Sequence, residues 1–215
     1  MVKDLNESPL IIHQMEVGPM QNFVYLIGSH QTGEAAVVDP AWDVPAILKE
    51  AEKLDLKITR AFVTHTHFDH VNGVNDLVAK TDAKIYVHKE EAKQLKVPAT
   101  QIVGTSHGFD LDLGGFTVHF LHTPGHTCGS QCFEITGNLV SGDTLFVNNC
   151  GRTDLPTGST EEMYQTLRFL SGLPENTVLW PGHDYGPTPT STIGDQRKSN
   201  PYMKIHNLKK FLDTP

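Results

Sequence analysis

The chain has 215 residues, of which 38% are hydrophobic and 20% charged, and its formal net charge is −8. This composition excludes a disordered or fibrous chain, and one domain spanning residues 1–215 can bury enough surface without disulfides. Lysine and arginine are scattered along an acidic chain, which argues against nucleic acid or a membrane as partner. We therefore expect a small-molecule substrate; the sequence does not indicate the oligomeric state.

Apolar runs at residues 10–13, 23–27 and 35–38 are separated by turns that contain glycine, and they predict three antiparallel strands. A helix is predicted next, with Asp43 as its N-cap and Pro45 in its first turn. The following predicted elements are a strand, a helix and a strand, at residues 58–64, 74–79 and 85–88.

The second half of the chain continues with a predicted hairpin over residues 111–121 and further strands and a helix. These are strands at 131–135, 138–141 and 177–180 and a helix at 161–170. Asn200 as N-cap, with Pro201 at the first helical position, predicts a last helix. Because strands first run together and then alternate with helices, the expected class is α/β (α+β), with two mixed sheets face to face and helices outside.

The chain contains 12 histidines, and several of them follow predicted strands. His65, His67, Asp69 and His70 come directly after the strand at 58–64. Three further apolar runs lead into single residues of ligand type: His126, Asp143 and His183. Ligands commonly bind outside the carboxyl ends of strands, so these seven side chains are predicted to form one metal site at an edge of the sheets.

Seven ligands exceed the needs of one tetrahedral ion and suit two divalent ions that share a carboxylate. The predicted division places His65, His67 and His126 on one ion. Asp69, His70 and His183 bind the other, and Asp143 lies between them. Imidazole and carboxylate ligands suit zinc, iron or manganese, and the sequence does not choose among these metals.

These motifs resemble, in chain order and over essentially the whole chain, those of the metallo-β-lactamase fold superfamily. The matching segments are His65-x-His67-x-Asp69-His70, Pro124-Gly-His126-Thr127, Gly142-Asp143-Thr144-Leu145-Phe146 and Gly182-His183. The resemblance implies an αββα sandwich with the metal site at one edge. Asp143 stands where zinc-dependent β-lactamases have a cysteine, and it resembles the bridging aspartate of the glyoxalase II (hydroxyacylglutathione hydrolase) branch.

The glyoxalase II resemblance implies hydrolysis of a thioester or ester, with a glutathione-type thioester favoured. A hydroxide held between two zinc or iron ions would attack the carbonyl carbon. Asp69 would orient that hydroxide, and Asp143 would bridge the ions. Asn200-Pro-Tyr-Met-Lys204 resembles a glutathione-holding segment of that branch, so Lys204 is a candidate substrate contact.

A second branch is also similar. Gly151-Arg152-Thr153-Asp154 and Asp184-Tyr185 resemble persulfide dioxygenases, which act on glutathione persulfide. This resemblance implies one Fe(II) held by His65, His126 and Asp143, and it adds Arg152, Asp154 and Tyr185 as candidate substrate contacts. A lactonase or phosphodiesterase is a third, weaker interpretation.

Other features are expected to lie outside the chemistry. Gly104-Thr-Ser106-His-Gly108 satisfies the G-x-S-x-G pattern, but a hairpin and not a helix follows it, so no serine nucleophile is expected. The other seven histidines are expected to be structural or solvated: His13, His30, His88, His107, His119, His122 and His206.

The cellular compartment is predicted from the cysteines and the N-terminal residues. The spacing of Cys128 and Cys132 does not match a zinc motif, and together with Cys150 they make an odd number, so we expect three reduced, structural thiols. The first seven residues are polar and acidic and resemble no signal peptide. The predicted location is therefore the cytoplasm.

Overall fold

The computed structural model describes residues 9–214, so the polar N-terminal segment lies outside the described residues. The strands are β1 (Leu10–Val17), β2 (Asn22–Ser29), β3 (Glu34–Val38), β4 (Lys57–Val63), β5 (Lys84–His88), β6 (Ile102–Thr105), β7 (Phe109–Leu113), β8 (Phe116–His122), β9 (Gln131–Ile135), β10 (Asn138–Gly142), β11 (Leu145–Phe146), β12 (Asn149–Cys150), β13 (Val178–Pro181) and β14 (Ser191–Thr192). The helices are α1 (Val44–Lys53), α2 (Phe68–Val71), α3 (Val74–Lys80), α4 (Thr160–Leu170), α5 (Ile193–Ser199) and α6 (Leu208–Leu212).

Twelve of these strands form two six-stranded sheets. The first has the order β1-β2-β3-β4-β5-β6, antiparallel from β1 to β3 and parallel from β3 to β6. The second has the order β14-β13-β10-β9-β8-β7, in which only β10 and β13 are parallel neighbours. Both sheets are mixed, as the sequence predicts.

Strand β2 shows why the sheets pack as layers, because it is apolar on both faces. Phe23, Tyr25 and Ile27 point to a cluster shared with Phe120 and Phe133 of the second sheet. The alternate residues of β2 pack against α1 and α3, and the outer face of the second sheet packs against α4, α5 and α6. The result is the predicted αββα sandwich.

The helix predicted to begin at Asn200 is absent. Asn200 instead ends α5, and the chain turns over residues 201–204. Its buried side-chain oxygen does accept from the backbone N–H of Tyr202 and Met203, as a cap would, at 3.0 and 3.3 Å. Its amide group donates to Asn149 O at 2.9 Å, so the side chain closes an Asx-type turn against β12 rather than starting a helix.

Helix α6 begins later, at Leu208, and its N-cap is Asn207, whose side chain accepts from Lys210 N. No helix among residues 9–214 is both long and apolar enough to span a membrane.

Candidate metal centre

Four strand ends converge at one edge of the sandwich, where β4, β8, β10 and β13 each lead into a short loop. Backbone hydrogen bonds join these loops to one another. Gln131 N donates to Thr64 O at 2.9 Å, Gly182 N donates to Gly142 O at 2.9 Å, and Phe23 N donates to Gly182 O at 2.8 Å. These bonds tie both sheets together at the edge and fix the positions of the predicted ligands.

The first predicted ligand group has its nitrogen atoms in mutual contact. Nδ1 of His67 lies 3.0 Å from Nε2 of His65 and 2.9 Å from Nε2 of His126. Ligand atoms bound tetrahedrally at about 2.0–2.1 Å from an ion lie about 3.3 Å apart. The three imidazoles therefore converge at close to the spacing that one metal ion requires, and they form a candidate metal group.

The second predicted group is equally close. Nε2 of His70 is 3.1 Å from Nε2 of His183, and Oδ2 of Asp69 is 3.4 Å from each of these nitrogen atoms. All three residues are candidate ligands of one ion. His70 also groups with Asp39 and His65, so the division of the ligands between two ions stays a prediction.

Asp143 lies between the two groups. Its Oδ1 is 3.3 Å from Nε2 of His70, and its Oδ2 is 3.6 Å from Nε2 of His126 and 3.4 Å from Nε2 of His183. Oδ1 is buried and has no hydrogen-bond partner among residues 9–214. An ionised oxygen in that position requires a cation, so the donor set fits two divalent ions with a shared carboxylate.

Gly182 makes room for this carboxylate. A Cβ atom at Gly182 would lie 2.3 Å from Oδ1 of Asp143 and 2.8 Å from the carbonyl carbon of Gly142. Any side chain at position 182 would therefore displace Asp143 or the chain beside it.

Hydrogen bonds at Nδ1, on the side of the ring away from the centre, orient His65 and His70. The buried Asp39 accepts from the hydroxyl of Thr64 at 2.6 Å and lies 2.9 Å from Nδ1 of His70. Because the Thr64 hydroxyl donates to Asp39, it accepts from Nδ1 of His65 at 3.1 Å. Both rings therefore carry their proton on Nδ1 and present a bare Nε2 to the centre.

Backbone carbonyl groups orient two further rings in the same way. Nδ1 of His126 donates to Arg152 O at 2.7 Å, and Nδ1 of His183 donates to Met20 O at 2.8 Å. Four of the five imidazoles are thus fixed in the tautomer that binds metal through Nε2.

The protonation states of the first group suit metal binding. Burial lowers the pKa of His65 well below its usual value, and the nearby His70 lowers it further. Burial also lowers the pKa of His67, with His126 adding to the effect. Neutral imidazoles are the form that coordinates metal ions.

The two carboxylates are ionised. Burial opposes ionisation of Asp143, yet the neighbouring imidazoles of His70 and His183 hold its pKa well below the usual value. Burial likewise opposes ionisation of Asp69, whose pKa is nevertheless low because of His183, His70 and the amide of Asn22. That amide donates to Oδ2 of Asp69 at 2.9 Å.

Three supporting residues escape prediction from the sequence. Asp39 and Asn22 contact ligands directly, and the buried Glu91 accepts from Thr66 N and Gly129 N at 3.0 and 3.2 Å, joining two ligand loops. Only Asp39 carries a visible signal. It directly follows strand β3, in the same position relative to a strand as Asp143.

The predicted substrate contacts are placed unevenly. Arg152 is exposed and forms two 2.7 Å hydrogen bonds with the exposed Asp154, beside His126. Tyr185 stacks on the ring of His183, with centroids 4.4 Å apart. Lys204 is exposed, and no contact among the described residues joins its side chain to the ligands. The roles of all four residues remain predictions.

Other sequence features fall outside the centre. Ser106 is followed by β7 and not by a helix, so the G-x-S-x-G pattern is no nucleophile elbow. His88 and His122 stack on each other with centroids 4.1 Å apart, and neither belongs to a candidate ligand group. Cys128, Cys132 and Cys150 are all free thiols.

Comparison with known proteins agrees with the fold and the motifs. Hydroxyacylglutathione hydrolase of Tolumonas auensis is 34% identical over 220 aligned positions, covering 86% of this chain and 82% of that protein. The probable polyketide biosynthesis zinc-dependent hydrolase BaeB of Bacillus velezensis is 29% identical over 202 residues, covering 94% and 88% of the two chains.

Among solved structures, that of ETHE1 from Myxococcus xanthus superimposes with a TM-score of 0.85 at 30% identity. The match covers 95% of this chain and 92% of ETHE1. The family model described as "Metallo-beta-lactamase superfamily" matches residues 17–183, a range that contains all seven predicted ligands. The resemblance predicted from the motifs is confirmed, and this chain belongs to the metallo-beta-lactamase superfamily.

Proposed function

We propose that this protein is a hydrolase that cleaves a thioester, or an ester, at a centre of two zinc or iron ions. The reaction adds water across the acyl bond: the carbonyl carbon gains an oxygen, the carbon–sulfur bond breaks, and an acid and a thiol are released. When bound, two divalent ions supply a hydroxide nucleophile at neutral pH and a positive charge for the carbonyl oxygen.

The observation that carries the proposal is the presence of two complete ligand groups with Asp143 between them. His65, His67 and His126 would hold one ion, and Asp69, His70 and His183 the other. Asp69 is ionised and is held by the amide of Asn22, so it can orient the attacking water.

The thiol part of the substrate has a suitable place beside the first group. Arg152 and Asp154 line a cavity of about 480 Å³, a volume typical of small-molecule sites. The same loop contacts the centre, because Arg152 O accepts from Nδ1 of His126. We propose that this cavity takes the thiol-bearing part, for which a glutathione-type thiol is favoured by similarity to hydroxyacylglutathione hydrolases.

A persulfide dioxygenase is the second candidate, because Gly151–Asp154 and Tyr185 resemble that branch and lie beside the centre. It would need only His65, His126 and Asp143 around one Fe(II). Because the dioxygenase branch retains the other motif residues as well, the ligand set does not separate the two candidates, and the contacts of His67 with His65 and His126 supply the test.

His67→Gln separates the two candidates. Protein purified without added metal is assayed for metal content, for thiol release from S-lactoylglutathione and for oxygen uptake on glutathione persulfide. For a hydrolase, we expect thiol release by the unaltered protein and at least about a hundredfold loss with His67→Gln, because a ligand of the first ion is removed.

The opposite result is equally specific. One iron per chain, oxygen uptake that survives His67→Gln, and no thiol release from any thioester would overturn the hydrolase. The exposed His119, which pairs with Asp110 on β7, provides a matched control: His119→Gln should change neither metal content nor rate.

A further inference from the structure

Large apolar side chains that are exposed to solvent cluster around one half of the metal centre. Among the described residues there are five: Met20, Phe68, Phe169, Tyr185 and Leu212. Three of these five adjoin the Asp69, His70 and His183 group, whereas Phe169 and Leu212 lie on α4 and α6. A cluster of exposed apolar side chains beside a reactive centre indicates a ligand with an apolar part.

Phe68 is the most exposed of the five, at 70%. It lies between the predicted ligands His67 and Asp69, at the start of α2. Its ring meets that of Trp42 edge to face, with centroids 5.9 Å apart. Trp42 in turn donates from Nε1 to Asn22 at 2.8 Å, and Asn22 donates to Asp69. The exposed ring is therefore supported by the same contacts that hold a predicted ligand.

Met20 borders the same group from the β1–β2 turn. Its side chain is 45% exposed, while its carbonyl oxygen accepts from Nδ1 of His183 and from the hydroxyl of Tyr185. The turn lies so close to Trp42 that a Cβ atom at Gly18 would lie 2.4 Å from the indole ring. Gly18 also has a φ of +70°, which favours glycine. Met20 and Phe68 thus belong to two connected segments on the same side of the centre.

The other half of the centre carries charge. Beside His126 are the exposed side chains of Arg152 and Asp154, which carry opposite charges, and the exposed Leu212 of α6 lines the same cavity. A substrate whose scissile bond lies at the ions would therefore meet charge on one side and apolar surface on the other. The charged side suits a polar thiol, which leaves the apolar side for the acyl group.

We propose that Met20 and Phe68 form an acyl-binding rim, so that the preferred substrate is a thioester of a linear apolar acid. The inference rests on the proposed hydrolase function and specifies the acyl half of its substrate. Transfer of each methylene from water to an apolar contact raises the specificity constant by up to about fourfold. Phe68 and Met20 are in this sense specificity-determining residues.

The test uses the metal-loaded protein and a series of S-acetyl, S-butanoyl, S-hexanoyl and S-octanoyl thioesters of glutathione and of the short thiol N-acetylcysteamine. We expect kcat/KM for octanoyl to exceed that for acetyl by at least about tenfold, which two buried methylenes supply. Phe68→Ala and Met20→Ala should each lower this octanoyl-to-acetyl ratio several-fold, and Phe68→Leu should retain most of it.

Phe169→Ala is the matched control, because Phe169 is equally apolar, is 45% exposed and contacts His107 instead of the centre. It should leave the ratio unchanged. Metal content is measured for every variant, so that a loss of ions is not mistaken for a loss of acyl contacts.

The outcomes separate the two proposals. If every thioester is hydrolysed but kcat/KM does not rise from acetyl to octanoyl, the rim is overturned and the hydrolase stands. The same conclusion follows if Phe68→Ala and Met20→Ala leave the octanoyl-to-acetyl ratio unchanged. No hydrolysis of any thioester by the fully metal-loaded protein would overturn the hydrolase itself, and the rim with it.

Discussion

Replacing Asp39 by asparagine tests whether the ring orientations described above determine metal binding. Asp39 is buried, and its two oxygen atoms accept three hydrogen bonds: from Thr64 N at 2.7 Å, from the Thr64 hydroxyl at 2.6 Å and from Nδ1 of His70 at 2.9 Å. An asparagine keeps the shape but has only one oxygen. If that oxygen serves Thr64 N, the amide NH₂ faces Nδ1 of His70.

Two donors cannot face each other, so His70 must move its proton from Nδ1 to Nε2. Nε2 is the atom that faces His183 and Asp143, and a protonated nitrogen cannot bind a metal ion. Loss of such a supporting contact typically lowers metal affinity 10–100-fold, equivalent to about 1.4–2.7 kcal/mol. We expect this loss mainly at the second ion, because His70 is its predicted ligand.

The assay is zinc titration of the metal-free protein against a competing chelator, which resolves two apparent affinities. Asp110→Asn is the control, since within the described part of the chain Asp110 pairs only with the exposed His119, at 2.7 Å. Circular dichroism of the metal-free variants verifies that both remain folded. If Asp39→Asn binds the second ion within about threefold as tightly as the unaltered protein, the tautomer argument is wrong.

Two further predictions concern the shared carboxylate and a stacked pair of histidines. Asp143→Asn should lower the occupancy of both ions, because the charge that lies within 3.6 Å of both groups is removed; metal analysis that finds two ions per chain would contradict the bridging role. Burial and the stacked His122 lower the pKa of the buried His88 to about 4. As the pH falls, His88 is therefore protonated in the unfolded chain before it is protonated in the folded chain. The contribution of His88 to stability is therefore complete above pH 6.5 and is lost between pH 6.5 and 4, by at most about 3 kcal/mol. In urea unfolding of the chelated protein, His88→Phe should reduce this loss, and an identical pH dependence would rule the assignment out.

The layered fold is predictable because its signals are local and repeated. Strand β2 alternates Phe23, Tyr25 and Ile27 with equally apolar neighbours, which indicates burial on both faces before any partner is known. The helix at Asn200 shows the limit of such signals. The hydrogen bonds of an N-cap form at Asn200, yet its side-chain amide also donates to Asn149 O, which lies 51 positions away in the sequence. A local sequence pattern cannot reveal a competing hydrogen-bond partner that lies so far away along the chain.

The same distinction separates the ligands from their surroundings. All seven predicted ligands follow strand ends, and the structure brings them together because sheet topology alone delivers strand ends to one edge. Among the residues that orient them, Asp39 shares this position after a strand, and the others follow no such rule. Arg152 and Met20 orient His126 and His183 through backbone carbonyl groups, and a carbonyl group is present at every residue, so no residue type marks the role.

This asymmetry bears on what the protein acts upon. Under the proposed function, the ions and their ligands would direct attack on an acyl carbon, and proteins named as hydrolases are about 30% identical to this chain. The side chains proposed to meet the substrate come from the β1–β2 turn, from α2 and from the loop after β12, and long-range contacts such as that of Asn22 with Asp69, 47 positions apart, join such segments. A change at Met20 or Phe68 alters the proposed acyl-binding rim without altering the residue type of any predicted ligand. Specificity can therefore diverge while the metal motifs stay constant, and the exposed side chains around the centre are where differences in substrate between relatives should be sought.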